Sequence, residues 1–287
     1  MKYSTLAAML VPILLVGCAS TSSSFSYNTK KSMALNLANA GGVSTGIADT
    51  DRPKNTSGTV ATSIPYGVAF TASGFTSPAL GFTSWGGGAM SLLAFLTTPK
   101  SQGERNSIMA FMPSDMATSS EEAQKKLFDL YYYNADKTLS TFGSTNKIWN
   151  DEETRKFTNE IYSRNILIQN AEWNCPRENA AQKIKDLCFL KIYVYEPSLL
   201  KDPSFVTANS YYYFGASNSR NYNRFVFAKP KSANIPEYEI LSALSKTLPN
   251  WTYMYVAPKQ VTNKSGDIMN FPFILQAGKT ELFVKPQ

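Results

Sequence analysis

The residue types that could do chemistry in this chain are limited, because none of its 287 residues is histidine. Histidine is the usual general base that activates a serine or cysteine nucleophile, and it is the most common metal ligand in proteins. The sequence therefore argues against Ser-His-Asp enzymes, Cys-His enzymes and histidine-ligated zinc. Serine–lysine pairs, carboxylate pairs, a glycine–lysine–threonine string and three cysteines remain to be considered.

Two short strings match parts of catalytic motifs. Ser144-Thr145-Asn146-Lys147 has the S-x-x-K spacing of serine β-lactamases, but their K-T-G element is missing, since Lys279-Thr280 is followed by Glu281. Gly278-Lys279-Thr280 resembles the end of a phosphate-binding loop, but Phe273 stands where that loop needs its first glycine. We predict a hairpin turn at Gly278 and a catalytic role for neither string.

Paired carboxylates are the other candidates for acid–base chemistry. Glu152–Glu153 and Glu237–Glu239 have the residue types that glycosidases use. Neighbouring acids close to the start of a helix are more often solvated caps that favour the positive helix end. An envelope hydrolase or glycan-binding protein that uses carboxylates or a Ser–Lys pair stays open as the alternative function.

The first seventeen residues have the parts of a secretory signal peptide. Lys2 gives a basic start, Leu6 to Val16 form an apolar run, and Gly17 is a small residue at the end. The apolar run is eleven residues long, whereas a membrane-spanning helix needs about twenty. The sequence therefore predicts an exported protein whose residues 1–17 take no part in the fold.

The string Leu15-Val16-Gly17-Cys18 resembles the lipobox of bacterial lipoproteins. The resemblance covers residues 1–19 only. It implies that the signal is cut before Cys18, which then carries diacylglycerol on its sulfur and a fatty acid such as palmitate on its amine. Two or three acyl chains bind a bilayer firmly, because each buried CH₂ contributes about 0.8 kcal/mol. Since Ala19 rather than Asp follows, the resemblance favours the outer membrane, with the periplasmic or the surface face left open.

Cys175 and Cys188 are the remaining cysteines. In an exported protein, two cysteines are most simply a disulfide, and one that closes this short loop would contribute roughly 3 kcal/mol in the chain-entropy model. Two free thiols or a metal site are the competing interpretations. A zinc site would have too few soft ligands here, and we predict no metal and no cofactor.

Composition and charge narrow the classes of partner that we expect for this protein. Only 17% of the residues are charged and 13% are aromatic, which favours a globular extracytoplasmic protein over a disordered chain. The net charge of +7 permits contact with anionic lipid headgroups, lipopolysaccharide or peptidoglycan. The Lys and Arg residues are dispersed, whereas nucleic-acid binding needs a concentrated basic stripe, so we predict no nucleic-acid partner.

We predict an α+β fold with a mixed or mostly antiparallel sheet and a few helices. The signal peptide is residues 1–17, and a Ser- and Thr-rich lipidated tether follows over 18–64, with a short helix at Met33 to Ala40. An uncharged Gly-rich segment and connector takes up residues 65–118, and the globular domain takes up 119–287.

The pattern within the predicted domain indicates the following elements. A helix starts at a Ser119/Glu122 capping box and ends at Gly143. A strand is predicted over Cys188–Tyr195, where Phe189, Lys191 and Tyr193 alternate with Leu190, Ile192 and Val194. Further elements are strands near 157–169, 210–214, 224–228 and 251–257, a helix after Pro236, and a final hairpin around residues 276–279.

Two features are candidate contact surfaces. Residues 66–98 contain no charge, so they favour either membrane or oligomer contact or packing inside the domain. Tyr131-Tyr132-Tyr133 must cover more than one helix face, so at least one ring should be exposed. These features predict a non-enzymatic outer-membrane lipoprotein that contacts an envelope protein or a second copy of itself, for example in a secretion or conjugation assembly.

Overall fold

The computed structural model describes residues 25–51, 101–149, 161–178, 184–201, 210–216 and 222–286. Within these ranges the helices are α1 (Met33–Ala40), α2 (Ser120–Thr141) and α3 (Glu237–Thr247). The strands are β1 (Ser107–Pro113), β2 (Thr145–Trp149), β3 (Ile161–Gln169), β4 (Cys188–Tyr195), β5 (Ser198–Lys201), β6 (Ser210–Phe214), β7 (Arg224–Ala228), β8 (Thr252–Val256), β9 (Phe273–Gln276) and β10 (Lys279–Leu282). The predicted α+β class is confirmed.

The strands form two antiparallel sheets. The larger sheet has the order β10-β9-β8-β1-β6-β5, and the smaller has the order β2-β3-β4-β7. β6 and β7 were predicted with the bounds that the structure has, and they belong to different sheets. β1 lies inside the six-stranded sheet, so part of the predicted connector over 65–118 is a central element of the fold.

The main hydrophobic core lies between the inner faces of the two sheets and is filled by α2 and α3. It gathers alternate residues of β1, β6, β8 and β9 with alternate residues of β3 and β4. α2 begins as predicted, because the Glu122 amide donates to Ser119 Oγ at 3.1 Å. It ends at Gly143, whose φ of 76° suits a residue without a side chain.

The opposite face of the six-stranded sheet is covered by the amino-terminal part of the chain. α1 packs Leu35 and Leu37 against Met109 and Tyr255 of that face. Further along, the Thr50 amide donates to the carbonyl of Phe283 at 2.9 Å. Residues 25–51 therefore belong to the packed domain, whereas the sequence analysis placed them in a tether over residues 18–64. The helix predicted at Met33–Ala40 is confirmed.

The reason for this difference is that polar residues here form internal hydrogen bonds. The amide of the fully buried Asn36 donates to the carbonyls of Asn28, Lys31 and Ser32, and its oxygen accepts from the Asn28 amide. Ser32 donates to Asp49 through its hydroxyl and its backbone amide. A Ser- and Asn-rich composition resembles that of a flexible segment, although here it supplies the partners of buried backbone groups.

The two sheets meet at Asn223, which precedes β7. Its carbonyl accepts from the Ile108 amide of β1 at 3.0 Å, and its side-chain oxygen accepts from the Tyr195 amide of β4 at 2.7 Å. Its side-chain amide also donates to the carbonyl of Gly215. A single buried residue thus fixes the start of β7 against both sheets.

None of the helices within the described ranges is long and apolar enough to cross a membrane. The predicted signal peptide, Cys18 and the uncharged residues 66–98 lie outside these ranges.

Candidate interaction surface

The face of the four-stranded sheet that points away from the core forms the best-defined candidate site. Register places Tyr193 of β4 between Ser163 of β3 and Arg224 of β7, and it places Lys191 beside Val226. These five residues and Tyr195 are half-buried, and we call the six of them the outer-sheet surface. At the other end of the same face, Leu167, Leu187, Phe189 and Ala228 form a small buried cluster.

Cations and aromatic rings alternate along one side of this surface. The guanidinium carbon of Arg224 lies 4.3 Å from the ring centroid of Tyr193 and 5.0 Å from that of Tyr222. The guanidinium carbon of Arg105 also lies close to the Tyr222 ring, 4.1 Å from its centroid. Lys191 approaches the ring of Phe189 at 5.6 Å. Each geometry falls within the range of cation–π attraction.

The elements of the fold explain how distant residues reach this stack. Tyr222 precedes Arg224 by two positions on an extended chain, so their side chains point to the same side. Asn223 between them points the other way and holds the backbone through its contacts with β1 and β4. Arg105 lies two residues before the start of β1, and the same contact with β1 brings it to Tyr222.

The surface is cationic. None of the outward positions that the structure describes on β3, β4 and β7 holds an aspartate or a glutamate. Burial lowers the pKa of Arg105, and the nearby charge of Arg224 lowers it further, while Tyr222 acts in the opposite direction. A guanidinium titrates so far above neutral pH that Arg105 stays charged despite this lowering. Burial also raises the pKa of Tyr195, which therefore stays a neutral hydroxyl.

Part of this surface was predicted from the sequence. It assigned Phe189, Lys191 and Tyr193 to one face of a strand, and the structure confirms that face. It did not find the contributions of Arg224, Tyr222 and Arg105. The alternation of residues 222–226 would have placed Tyr222 and Arg224 on one face of a strand. The approach of Arg105 to Tyr222 depends on the pairing of β1, which no short stretch of sequence indicates.

The Ser144–Lys147 pair of the S-x-x-K string lies at β2. Ser144 is buried, and its hydroxyl donates to Asn146 Oδ1 at 2.7 Å. Lys147 lies within the strand, opposite Leu167 of β3 in the register. Helical geometry is what brings residues three apart together, so the string lacks that arrangement here.

The predicted carboxylate candidates can be compared with the structure in the same way. Glu237 is only 2% exposed and pairs with Lys229, whose Nζ lies 2.9 Å from its Oε1. Its other oxygen accepts from the Thr262 amide at 2.8 Å. Burial raises the pKa of Glu237, while Lys229 acts in the opposite direction. This carboxylate therefore holds three segments together inside the domain. Glu152 and Glu153 lie outside the described ranges.

The glycine–lysine–threonine string forms the predicted hairpin. β9 and β10 pair directly, and Ala277 and Gly278 between them have positive φ angles of 47° and 78°. These are the angles of a tight turn between two strands, whereas a phosphate-binding loop precedes a helix.

The structure joins Cys175 to Cys188 as a disulfide, with their Cα atoms 5.5 Å apart. The bond links the turn that follows β3 to the first residue of β4, and both cysteines are buried. Elsewhere in the described ranges, no three His, Cys, Asp or Glu side chains are close enough together to hold a metal ion.

The three consecutive tyrosines of α2 face different environments, as predicted. Tyr131 is buried in the core, and Tyr132 stacks on Phe128 with a centroid distance of 6.0 Å. Tyr133 is 66% exposed. A single exposed ring is common on protein surfaces, so Tyr133 alone does not indicate a binding site.

No protein-family model matches this chain, and neither does any curated protein or any solved structure. Any assignment of function must therefore come from the residues and the geometry described above.

Proposed function

We propose that this chain is a bacterial outer-membrane lipoprotein that acts by binding a component of the cell envelope, not by catalysis. Residues 1–17 direct export, and Cys18 carries the lipid that holds the protein at the membrane. The string Leu15-Val16-Gly17-Cys18 and the short apolar run before it support this anchor. The location of the partner would show whether the domain faces the periplasm or the cell exterior.

The outer-sheet surface is the observation that carries the binding role. Structural cations are usually scattered over a protein surface, whereas Arg224 is held between the rings of Tyr193 and Tyr222. Arginine and tyrosine are enriched among the residues that contribute most to binding energy at protein interfaces. The surface therefore has the composition of a contact site.

The roles of the candidate catalytic residues support binding over catalysis. The Ser144 hydroxyl donates to Asn146, and the Glu237 carboxylate is buried against Lys229. Gly278 shapes a hairpin turn. Each of these residues therefore has a structural role, although its sequence motif alone would also allow a catalytic role.

The α1 side of the domain and the outer-sheet surface are connected by hydrogen bonds. The Ala216 amide donates to the carbonyl of Gly41 at the end of α1 at 2.7 Å, and Asn223, which precedes Arg224, donates to the carbonyl of Gly215. Seven residue steps separate Cys18 from Phe25, which is packed against the α1 side. They can span at most about 25 Å, so a lipid on Cys18 would hold the α1 side of the domain near the bilayer.

Crosslinking in intact membranes followed by mass spectrometry tests this proposal. We expect the native chain to fractionate with outer membranes and to crosslink to a defined partner near β4. Cys18→Ser should release the protein from the membrane. The double variant Lys191→Glu and Arg224→Glu should stay in the membrane but lose the crosslink.

The matched control is the double variant Lys137→Glu and Lys264→Glu, which changes the charge equally at two exposed positions away from β4. It should keep both the location and the crosslink. A crosslink that persists in the β4 variant would show that the outer-sheet surface is not the contact, and native protein found in the soluble fraction would contradict the anchor.

A further inference from the structure

We propose that the turn leading into α1 lies against the membrane and binds anionic lipid headgroups. This inference rests on the lipid anchor of the proposed function and adds a second membrane contact, made by the domain itself. The side chains that carry it are Tyr27, Lys30, Lys31 and Met33, and we call residues 27–33 the entry turn.

The entry turn is a folded element whose backbone is fixed to α1. The Lys30 amide donates to Asn28 Oδ1 at 2.9 Å, and the Lys31 amide donates to the Asn28 carbonyl at 3.0 Å. The side-chain amide of Asn36 in α1 donates to the carbonyls of Asn28 and Lys31, at 2.9 and 3.2 Å. The side chains of the turn are therefore presented from a defined backbone and not from a loose tail.

Two large apolar side chains are exposed on the entry turn. Tyr27 is 43% exposed and Met33 is 45% exposed. The described residues have six exposed large apolar side chains, so two of the six lie within these seven residues. A tyrosine suits the headgroup region of a bilayer, where its ring contacts apolar chains and its hydroxyl stays in water. Both side chains can enter this layer while the backbone of the turn keeps its hydrogen bonds.

The two lysines of the entry turn provide unpaired positive charge. Lys30 is exposed and Lys31 is half-buried. Neither ammonium forms an ion pair or a hydrogen bond within the described ranges, whereas Lys125, Lys126 and Lys229 each pair with an acid there. These two charges favour an anionic partner.

The acids close to the turn leave this charge in place. The Asp49 carboxylate accepts from the Ser32 amide and hydroxyl, and Asp51 pairs with Lys285 at 2.7 Å. The turn itself contains no aspartate or glutamate. Among the described residues on this side of α1, three lysines against two aspartates leave a net charge of +1, with both turn lysines unpaired.

The length of chain between Cys18 and the domain makes the membrane the expected partner. The seven steps to Phe25 place that residue within about 25 Å of the lipid attachment, and the entry turn starts two residues later. Near an anionic bilayer each lysine strengthens binding about fivefold, and such a contact can be small because the acyl chains already hold the protein. A specific protein interface buries about 1,000 Å² or more, which is more than a seven-residue turn supplies.

The lipidated protein, reconstituted into vesicles of phosphatidylethanolamine and phosphatidylglycerol, tests the inference. Met33→Cys accepts a thiol-reactive fluorophore at that position alone, because Cys18 is blocked by lipid and Cys175 and Cys188 by their disulfide. We expect spin-labelled lipids to quench this fluorophore at least threefold more than the same label at Met116→Cys. Met116 is the matched control, since it is 42% exposed and lies beside α2.

Charge reversal of the turn should remove this contact. In the labelled Met33→Cys protein, Lys30→Glu with Lys31→Glu should lower the quenching at least threefold, as should vesicles of phosphatidylcholine alone. Lys137→Glu with Lys264→Glu is the matched control at two exposed positions on other elements and should leave the quenching unchanged. Thermal unfolding shows whether each variant is folded, and Lys30→Gln with Lys31→Gln decides the question if the reversed variant is not.

Equal quenching at Met33→Cys and Met116→Cys, or quenching that survives charge reversal in a folded protein, would overturn the inference. If the protein still floats with the vesicles, the lipid anchor stands and only the contact of the entry turn falls. A native chain that does not float contradicts the anchor and this inference together. A disulfide between two copies through unlabelled Met33→Cys, with no quenching of the labelled protein by lipid, would replace the membrane with a second copy of the chain.

Discussion

Glu237 and Lys229 form an ion pair that is largely shielded from water. The Lys229 ammonium contacts Glu237 Oε1 at 2.9 Å and donates to the Thr262 hydroxyl at 3.1 Å. Thr262 in turn donates to the carbonyl of Ile235. The start of α3, the segment before it and the loop that follows β8 are therefore linked through two charged side chains.

Replacement of Lys229 by methionine should destabilise the protein. The variant leaves the Glu237 carboxylate buried without its cation, and loss of one partner of a buried pair costs about 3 kcal/mol. Urea unfolding at neutral pH measures the change. The matched control, Lys126→Met, breaks an exposed pair with Glu122 and should change the free energy of unfolding by less than about 0.5 kcal/mol.

The loss of unfolding free energy caused by Lys229→Met, called the deficit here, should also depend on pH. Burial raises the pKa of Glu237 above its usual value of 4.5, so the folded state binds this proton more tightly than the unfolded state does. Stability from such a group is fully present below the unfolded pKa and is lost as the pH rises through the folded pKa. Without Lys229 that pKa rises further, so the deficit should shrink as the pH falls towards 4.5. A deficit independent of pH would contradict this explanation.

At the scale of secondary structure, a single side chain attaches the chain before α1 to the helix. Asn36 makes four hydrogen bonds inside the protein, to the backbone of Asn28, Lys31 and Ser32. The residues before α1 are thereby fixed to the helix, and α1 is fixed to the six-stranded sheet by its apolar side chains.

Asn36→Ala should release the residues before α1 while leaving the two sheets folded. Local opening should become easier by about 2 kcal/mol, because buried backbone groups lose their partners. Tryptic cleavage after Lys30 or Lys31 should then be roughly thirtyfold faster, since cleavage follows the population of the open form. Asn39→Ala, at a half-buried position of the same helix, is the control and should cleave at the native rate. Equal rates in both variants would show that Asn36 does not hold this segment.

The disulfide joins two elements that are already neighbours in the smaller sheet. Cys175→Ala combined with Cys188→Ala should lower the free energy of unfolding by about 3 kcal/mol, since a cross-link over thirteen residues restricts the unfolded chain. Guanidinium unfolding of the native and variant proteins measures this loss. Reductant should destabilise the native protein and leave the variant unchanged. Two free thiols from these positions in the denatured native protein would contradict the assignment.

Several of the elements that were predicted from the sequence have one exposed and one buried face. β4 was predicted with its observed bounds, because Leu190 and Ile192 are buried while Lys191 between them is not. β1 was missed because both of its faces are buried, so residues 107–112 show no alternation. β5 was also missed, since four residues are too few for a periodic signal.

The candidate surface was only partly predictable for a related reason. Alternation within β4 assigns Lys191 and Tyr193 to one face, and that information is local. The approach of Arg105 to Tyr222 joins residues more than a hundred positions apart through the pairing of β1 with the chain before β7. No pattern along the sequence records that pairing.

At the scale of the whole molecule, the packing of residues 25–51 changes how the anchor would work. A tether that extended to residue 64 would let the domain move far from the membrane. Because the chain is packed from Phe25 onward in the described ranges, only residues 19–24 connect Cys18 to the domain. A lipid on Cys18 would therefore hold the domain close to the bilayer, with α1 on the near side.

The mass of the amino-terminal tryptic peptide from membrane-extracted protein tests the anchoring claim most directly. We predict a peptide from Cys18 to Lys30 that carries a diacylglyceryl group and, where the amine is acylated, one further fatty acid, and we predict that Cys18→Ser yields no such peptide. A peptide that starts at another residue, or one that starts at Cys18 without lipid, would contradict the account.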